Sequence, residues 1–316
     1  MRRKSDFETA MAEKIKQFIS MIECGLPNER GNASLYCYCF CSFGLSPALP
    51  LQPLFELDLL MSTNKSLTTG ERRPKYSIVI PAYNEGGRVS ATLERVLAYV
   101  DEDGWDAEVI AVDDGSRDDT ANIIRGYAQR NSRLRLLQNL RNRGKGYSIR
   151  NGMLHAKGEI LLFSDADLSS PIEEAEKLLA AIRQGADIAI GSRWVRSDVQ
   201  TRRQSVFRQA LGRVFNLSLH IILGLNFRDT QCGFKAFTRR AAETVFPLQT
   251  IERWGFDAEL LFLAKKYGLK VVEVPVVWAH SEGTRINPLR DGIRMFVETL
   301  EIRWNGISGK YSRPNE

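Results

Sequence analysis

The chain has 316 residues, 43% hydrophobic and 26% charged, with a formal charge of +6 at neutral pH, values that suit a globular protein with one large core or two small ones. Five cysteines at this length exclude a disulfide-stapled scaffold. A membrane-spanning helix is also excluded, because no run reaches about eighteen uninterrupted apolar residues; the nearest, Leu35 to Leu60, is broken by Pro47, Pro50 and Pro53.

Residues 1–75 read as a poorly ordered extension. No helical or strand period is sustained there, and Met61 to Pro74 is polar and rich in Ser and Thr. Met1-Arg2-Arg3-Lys4 is followed by Ser5-Asp6-Phe7-Glu8 instead of the apolar core of a signal peptide. Met61-Ser62-Thr63-Asn64-Lys65 resembles an ordinary protein start, so translation from Met61 is a hypothesis that mass spectrometry of the native N-terminus tests. Cys24, Cys37, Cys39 and Cys41 lie in this part and Cys232 stands alone beyond it; their spacing is not that of a tetrahedral zinc site. A reducing, cytoplasmic environment is expected. The expected division is 1–75 extension, 76–305 folded domain and 306–316 C-terminal tail.

From Tyr76 onward short β-rich runs alternate with amphipathic segments. Strands are predicted at Tyr76–Ile80, Ala107–Val112, Leu134–Leu137, Ile160–Phe163 and Ile188–Ile190, and helices at Arg88–Val100, Asp118–Arg130, Gly146–Ala156 and Ile172–Arg183. That alternation predicts an α/β domain with a mainly parallel central sheet flanked by helices, in which ligands gather at the carboxyl ends of the strands. Polar clusters follow four of the strands. The first leads into Pro81-Ala82-Tyr83-Asn84-Glu85, and the second into Asp113-Asp114-Gly115-Ser116, with Ser116 a candidate N-cap. Asn142-Arg143-Gly144-Lys145-Gly146 follows the third, and Asp165-Ala166-Asp167 the fourth. Two carboxylates one residue apart at a strand end suit one hard cation, Mg²⁺ or Mn²⁺. Four such clusters at one sheet edge describe a nucleotide pocket. A Walker A loop is excluded because residue 139 is Asn, and a Rossmann dehydrogenase because the first turn lacks G-x-G-x-x-G.

The basic excess lies beyond residue 60, and much of it is one stretch in which Arg193, Arg196, Arg202, Arg203, Arg208 and Arg213 face only Asp198. It suggests a polyanionic partner. Val214 to Leu225 (VFNLSLHIILGL) then turns apolar nearly all round, which fits either a helix at a membrane interface or a buried core helix. Pro288–Trp304 carries an apolar stripe, Leu289, Ile293, Phe296 and Leu300, suited to packing on the sheet or to the same surface.

In order along the chain, YSIVIPAYNE (76–85), VDDGSRDDT (112–120), NRGKG (142–146) and SDADL (164–168) resemble the motifs of family 2 glycosyltransferases with the GT-A fold. GSR (191–193), DTQCGFK (229–235) and ERWGFDAELL (252–261) are similar to the dolichyl-phosphate β-glucosyltransferases of that family. The resemblance spans roughly residues 76–305. It implies an inverting transfer of glucose from UDP-glucose to a polyprenyl phosphate at the cytoplasmic face of a membrane, with no nucleic acid involved. Pro81, Ala82, Tyr83, Glu85, Asp113, Asp114 and Ala166 would line the nucleotide-sugar site, with Asp113 or Asp114 accepting a bond from the base and Lys145 near the base or the diphosphate. Asp165 and Asp167 would hold the metal, and Asp167, Arg193 and Lys235 form the implied catalytic set. The mannosyl T-G-[SD]-F-R pattern is replaced by Thr230-Gln231-Cys232-Gly233-Phe234-Lys235, and the Q-x-x-R-W motif of polymerising members is missing. Glucose and a single transfer are therefore favoured over mannose, N-acetylglucosamine, a non-lipid acceptor or a catalytically silent nucleotide-binding subunit.

A phosphate monoester acceptor has a second pKa of about 6 and is already a nucleophilic dianion at neutral pH. No general base is then required. Asp257 and Glu259 are the candidates for a base or a sugar contact, against a plain role as acids in the first turn of a helix predicted over Phe256–Lys266. Arg193, Arg208 and Arg203 are the candidates for the acceptor phosphate, since guanidinium forks match its oxygens.

Overall fold

Seven strands form one sheet: β1 (Tyr76–Ala82), β2 (Ala107–Asp113), β3 (Leu134–Gln138), β4 (Ile160–Phe163), β5 (Ile188–Ser192), β6 (Lys235–Thr238) and β7 (Val271–Pro275). The computed structural model describes residues 73–193, 206–278 and 288–312, the side chains of 206–214 and 288–290 excepted. The strand order is β3-β2-β1-β4-β6-β5-β7, with β6 antiparallel to β4 and β5 and every other pair parallel. Helices α1 (Val89–Glu102), α2 (Thr120–Arg130), α3 (Lys145–His155) and α4 (Ala175–Arg183) connect the parallel strands, α4 after a 3₁₀ turn at Ile172–Glu174. α5 (Val206–Leu223), α6 (Arg239–Val245), α7 (Phe256–Lys266) and α8 (Pro288–Ile307) follow. The predicted strands and helices of the first half are all present, and α7 has the expected bounds. β6 and β7 are additional.

The sheet is buried on both faces, as its near-continuous apolar strands require. Ile78, Ile80, Val109 and Leu162 point to one side, where α1 and α4 contribute Val89, Leu93, Leu178 and Leu179. Val79, Ile110, Phe163, Ile188 and Ile190 point to the other, against Ile149 and Met153 of α3 and the buried face of α7. Successive strand residues face opposite layers, so both cores draw on the same strands. Chain order reverses between β1 and β4, and at that switch point the carboxyl ends of β1, β2 and β4 open together.

Two expectations change, and a third that allowed two outcomes is decided. The packed body passes residue 305, because α8 runs to Ile307 and Tyr311 is fully buried. Ser116 does not cap α2; Asp119 precedes the helix, and the Ser116 hydroxyl accepts the Asn84 N–H instead, at 2.8 Å. Of the α8 stripe, Ile293 and Phe296 are exposed and Leu300 is partly buried, which is the surface placement and not the packing on the sheet; Trp304 and Ile307 are exposed as well, whereas Asp291, Glu298, Thr299, Ile302 and Asn305 are buried. Residues 1–72 and Arg203 lie outside the described residues, as does the side chain of Arg208.

Candidate active site

The loops after β1 and β2 are joined by backbone amides. Arg117 N–H donates to Asn84 Oδ1 at 2.7 Å, Glu85 N–H to Thr120 Oγ1 at 2.7 Å and Gly86 N–H to Asp118 Oδ2 at 3.0 Å. Asn84 sits at φ 52°, a left-handed conformation that Asn adopts more readily than most residues. Ala82 is buried and Pro81, Tyr83 and Glu85 are partly so, with Glu85 paired to Arg88.

Asp113 and Asp114 part company at the end of β2. Asp114 accepts four bonds: Asn139 Nδ2 at 2.9 Å and Arg143 N–H at 3.1 Å on one oxygen, Asn142 Nδ2 and Gly144 N–H, both at 2.8 Å, on the other. A carboxylate offers about four lone-pair sites, so Asp114 is fully engaged in holding the loop that carries Lys145. Asp113 has only longer contacts of 3.3 Å, from Ser116 N–H and Gln138 Nε2. Gly144 has φ +122°, and a Cβ there would lie 2.5 Å from the Glu252 carbonyl, so only glycine admits the crossing of residues 252–253. Those residues serve the start of α3, where Gly146 and Tyr147 donate to the Arg253 and Glu252 carbonyls at 3.2 and 2.9 Å.

Asp165 and Asp167 lie in a turn beyond β4, with Leu168 N–H bonded to Asp165 O at 3.1 Å and Ser169 N–H to Asp167 Oδ1 at 3.0 Å. Thr92 holds the Ala166 carbonyl at 2.5 Å. Leu168 takes φ 46°, unusual for a residue with a branched side chain and found where surrounding structure enforces it. Lys145 forms an ion pair with Asp165 and stands 5.8 Å from the Trp254 ring centroid. Burial opposes its charge, but Asp165 and Asp257 outweigh it and hold the ammonium pKa above its ordinary value.

Behind this edge lie two buried ion pairs. Lys235, with no exposed surface, pairs with Asp257 and donates to the Cys232 carbonyl. Burial pushes the Asp257 carboxyl up in spite of Lys235 and Lys145, and pushes the Cys232 thiol up to about 11. Arg193 grips Asp229 through Nε at 2.7 Å, Nη2 at 2.8 Å and its own backbone N–H at 2.9 Å. Although burial works against ionisation, the guanidinium keeps Asp229 below the ordinary carboxylate range. Glu273 in turn accepts Arg228 and Asp229 N–H, each at 2.9 Å, and Trp278 lies 5.5 Å from the Arg193 guanidinium.

Glu259 does not belong to this group. Its oxygens accept Thr250 N–H, Thr250 Oγ1, Ile251 N–H and the Tyr311 hydroxyl at 2.6 to 2.8 Å, and it has no exposed surface. It is a clasp between α7, the 250–251 loop and the C-terminal turn, which removes it as a base. Sequence reasoning missed Asn139, Asp229 and Glu273; only Asp229 stood within a recognised motif.

Among the described residues no three His, Cys, Asp or Glu side chains form a metal-sized cluster. Asp165 and Asp167 nonetheless fit Mg²⁺ or Mn²⁺, which take one or two carboxylates and complete their shell with phosphate oxygens and water. The Lys145 ammonium against Asp165 marks the position as one that holds positive charge.

Residues 77–246 match the family described as Glycosyl transferase family 2. A dolichyl-phosphate beta-glucosyltransferase of Drosophila melanogaster is 38% identical over 232 residues, covering 69% of this chain and 71% of that protein. Proteins of the same name from Trichomonas vaginalis and Homo sapiens are 37% and 34% identical, over 72% and 74% of this chain and 70% and 76% of theirs. The fold is similar to that of glucosyl-3-phosphoglycerate synthase from Mycobacterium tuberculosis in complex with Mn²⁺, UDP and glucosyl-3-phosphoglycerate: the TM-score is 0.55 at 19% identity, over 75% of this chain and 80% of that one.

Proposed function

The chain belongs to glycosyl transferase family 2, and from that premise we propose that it is a hexosyltransferase carrying glucose from UDP-glucose to a polyprenyl phosphate of the dolichyl type, with inversion to a β-linked lipid-phosphate sugar. The relatives named dolichyl-phosphate beta-glucosyltransferase support the sugar and the acceptor class. The observation that carries the reading is the convergence of Asp165, Asp167 and Lys145 at the switch point of the sheet, with the Arg193 pair beside it.

In the proposed reaction an acceptor phosphate oxygen attacks the anomeric carbon as the bond to UDP breaks. Pro81, Ala82, Tyr83 and Glu85 form one wall of the donor site and Ala166 part of another. Asp114 orders the loop bearing Lys145, and Asp113, the less strongly engaged of the two acids, takes the base. Asp165 and Asp167 hold Mg²⁺ or Mn²⁺, which supplies charge neutralisation of the departing diphosphate when bound. Lys145 adds a flexible point charge to the same end. The acceptor arrives as a dianion, so no base is needed. This agrees with Asp257, whose carboxylate is enclosed with Lys235. Arg193, oriented by Asp229, faces the acceptor, and Arg208 and Arg203 are proposed to join it.

The acceptor's lipid calls for an apolar approach. No described helix is long and apolar enough to cross a membrane. α5 divides its apolar residues: Leu219 and Leu223 are buried, Leu217 and Ile221 exposed, and α8 packs on it with Ile293 and Phe296 outward. Exposed aliphatic and aromatic side chains on two packed helices suit a membrane interface. We assign the cytoplasmic face as the place of action.

Titration with UDP in the presence and absence of Mn²⁺ tests the donor and metal sites together. Binding that strengthens with Mn²⁺ in the wild type and not in Asp167→Asn, with transfer abolished in the variant, is expected. Turnover by Asp167→Asn at saturating metal and donor contradicts the assignment.

A further inference from the structure

Asp165 rests against a loop from a distant part of the chain. A Cβ built on Gly233 would lie 2.6 Å from both Cγ and Oδ1 of Asp165 and nearer still to Oδ2, all below the 3.0 Å that real Cβ contacts respect. The whole carboxylate therefore occupies space that a side chain at 233 would fill.

Neither main chain is free to withdraw. The loop is fastened upstream by Asp229, which binds Arg193 and accepts Gln231 N–H at 3.3 Å, while Glu273 accepts Asp229 N–H. Downstream it is fastened by Lys235, whose ammonium binds the Cys232 carbonyl, the acceptor of the Cys232–Gly233 peptide itself, and is neutralised by Asp257. Gly191 N–H completes the attachment at the Phe234 carbonyl, 2.9 Å. The main chain of Asp165 is held by Leu168 N–H at 3.1 Å, and Ser164 before it bonds Val79 O at 3.0 Å. Only the Asp165 side chain is left to move.

We propose that Gly233 is a positioning residue for the metal-bearing carboxylate: the bare main chain at 233 lets Asp165 lie beside Lys145 and share a cation with Asp167. Lys235 and Asp257 act through the same peptide, which makes Lys235 a positioning residue and not one that touches substrate. Any side chain at 233 rotates Asp165 away and leaves Asp167 as the single protein donor. The inference rests on the metal reading above.

The test is Mn²⁺ binding by the full chain with UDP present, followed by electron paramagnetic resonance, together with a thermal-stability cycle over Gly233→Ala, Asp165→Ala and the double variant. Gly233→Ala should bind Mn²⁺ about 10 to 100-fold more weakly, the loss typical of disturbing the groups that orient metal ligands, while its metal-free UDP affinity stays at the wild-type value. Gly233→Ala should lower Tm in the wild-type background and much less where Asp165 is Ala, because the clashing carboxylate is gone. If Gly233→Ala fails to fold, the double variant should still fold. Equal Mn²⁺ affinity in wild type and variant, an equal Tm loss in both backgrounds, or a double variant that also fails to fold overturns the proposal. If the wild type itself takes up no Mn²⁺ with UDP, the metal reading fails and the proposal with it.

Discussion

Replacing Asp114 by Asn is isosteric, yet it should damage the protein severely. The carboxylate receives four donors, two on each oxygen, and three of them lie at 2.8 to 2.9 Å. An amide nitrogen in place of either oxygen turns two of those bonds into donor-against-donor contacts, and rotating the amide only exchanges which two. Hydrogen bonds to a charged group contribute about 1.5–3 kcal/mol each, so losing two costs about 3–6 kcal/mol. Asp114 is 3% exposed, so water does not relieve the loss. The Asn139–Gly144 loop should loosen and Lys145 should lose its fixed start at α3. Urea denaturation is expected to give a destabilisation of at least about 3 kcal/mol, and calorimetric titration a UDP affinity weaker by about tenfold or more. A variant within about 1 kcal/mol of wild type that binds UDP normally would refute the claim that Asp114 organises the loop.

Arg193→Ala should raise the apparent KM for a short polyprenyl phosphate and leave UDP binding nearly unchanged; because it strands Asp229 in a buried site, a cost of about 3–5 kcal/mol in stability is expected, and Arg193→Lys serves as the gentler comparison. A KM that does not move argues against an acceptor role. Burial raises the Glu259 pKa above 4.5, so the folded state holds that proton more tightly than the unfolded chain, and the associated stability is present at low pH and lost as pH rises through the raised value. Glu259→Gln should therefore flatten the decline in stability above about pH 4.5; the flattening is partial, since Asp257 and Glu298 are raised in the same direction. An unchanged pH profile would show that Glu259 is not the source. Ile221→Asp with Phe296→Asp should reduce co-sedimentation with phospholipid vesicles without altering UDP affinity, and undiminished sedimentation would remove this surface from the membrane contact.

The parallel half of the fold was legible because each strand there is an apolar run ended by polar residues, and each helix has an apolar face. β6 was not: Lys235-Ala236-Phe237-Thr238 is short and begins with a lysine, a residue that reads as exposed unless its buried partner is known. That partner, Asp257, lies 22 positions away on α7, and no local pattern links the two. α8 leaves two outcomes open for a different reason. Periodicity does not say which face turns inward, and here Asp291, Glu298, Thr299, Ile302 and Asn305 are buried while Ile293 and Phe296 are exposed. Asp113 and Asp114 stand out in the sequence as a pair, whereas their division of labour depends on Asn139 and Asn142, whose bonds to Asp114 no spacing in the sequence reveals. The closeness of Gly233 to Asp165 joins two motifs 68 positions apart.

The central claim is glucosyl transfer from UDP-glucose to a lipid phosphate. A panel of UDP- and GDP-sugars incubated with the full chain, a divalent cation and a short polyprenyl phosphate, with products identified by mass and anomeric configuration, tests it most directly. The account predicts a β-linked polyprenyl-phosphate glucose from UDP-glucose, with little product from GDP-mannose or UDP-N-acetylglucosamine. A preferred product from another donor, an α-linked product, or no lipid-linked sugar from any donor would contradict it.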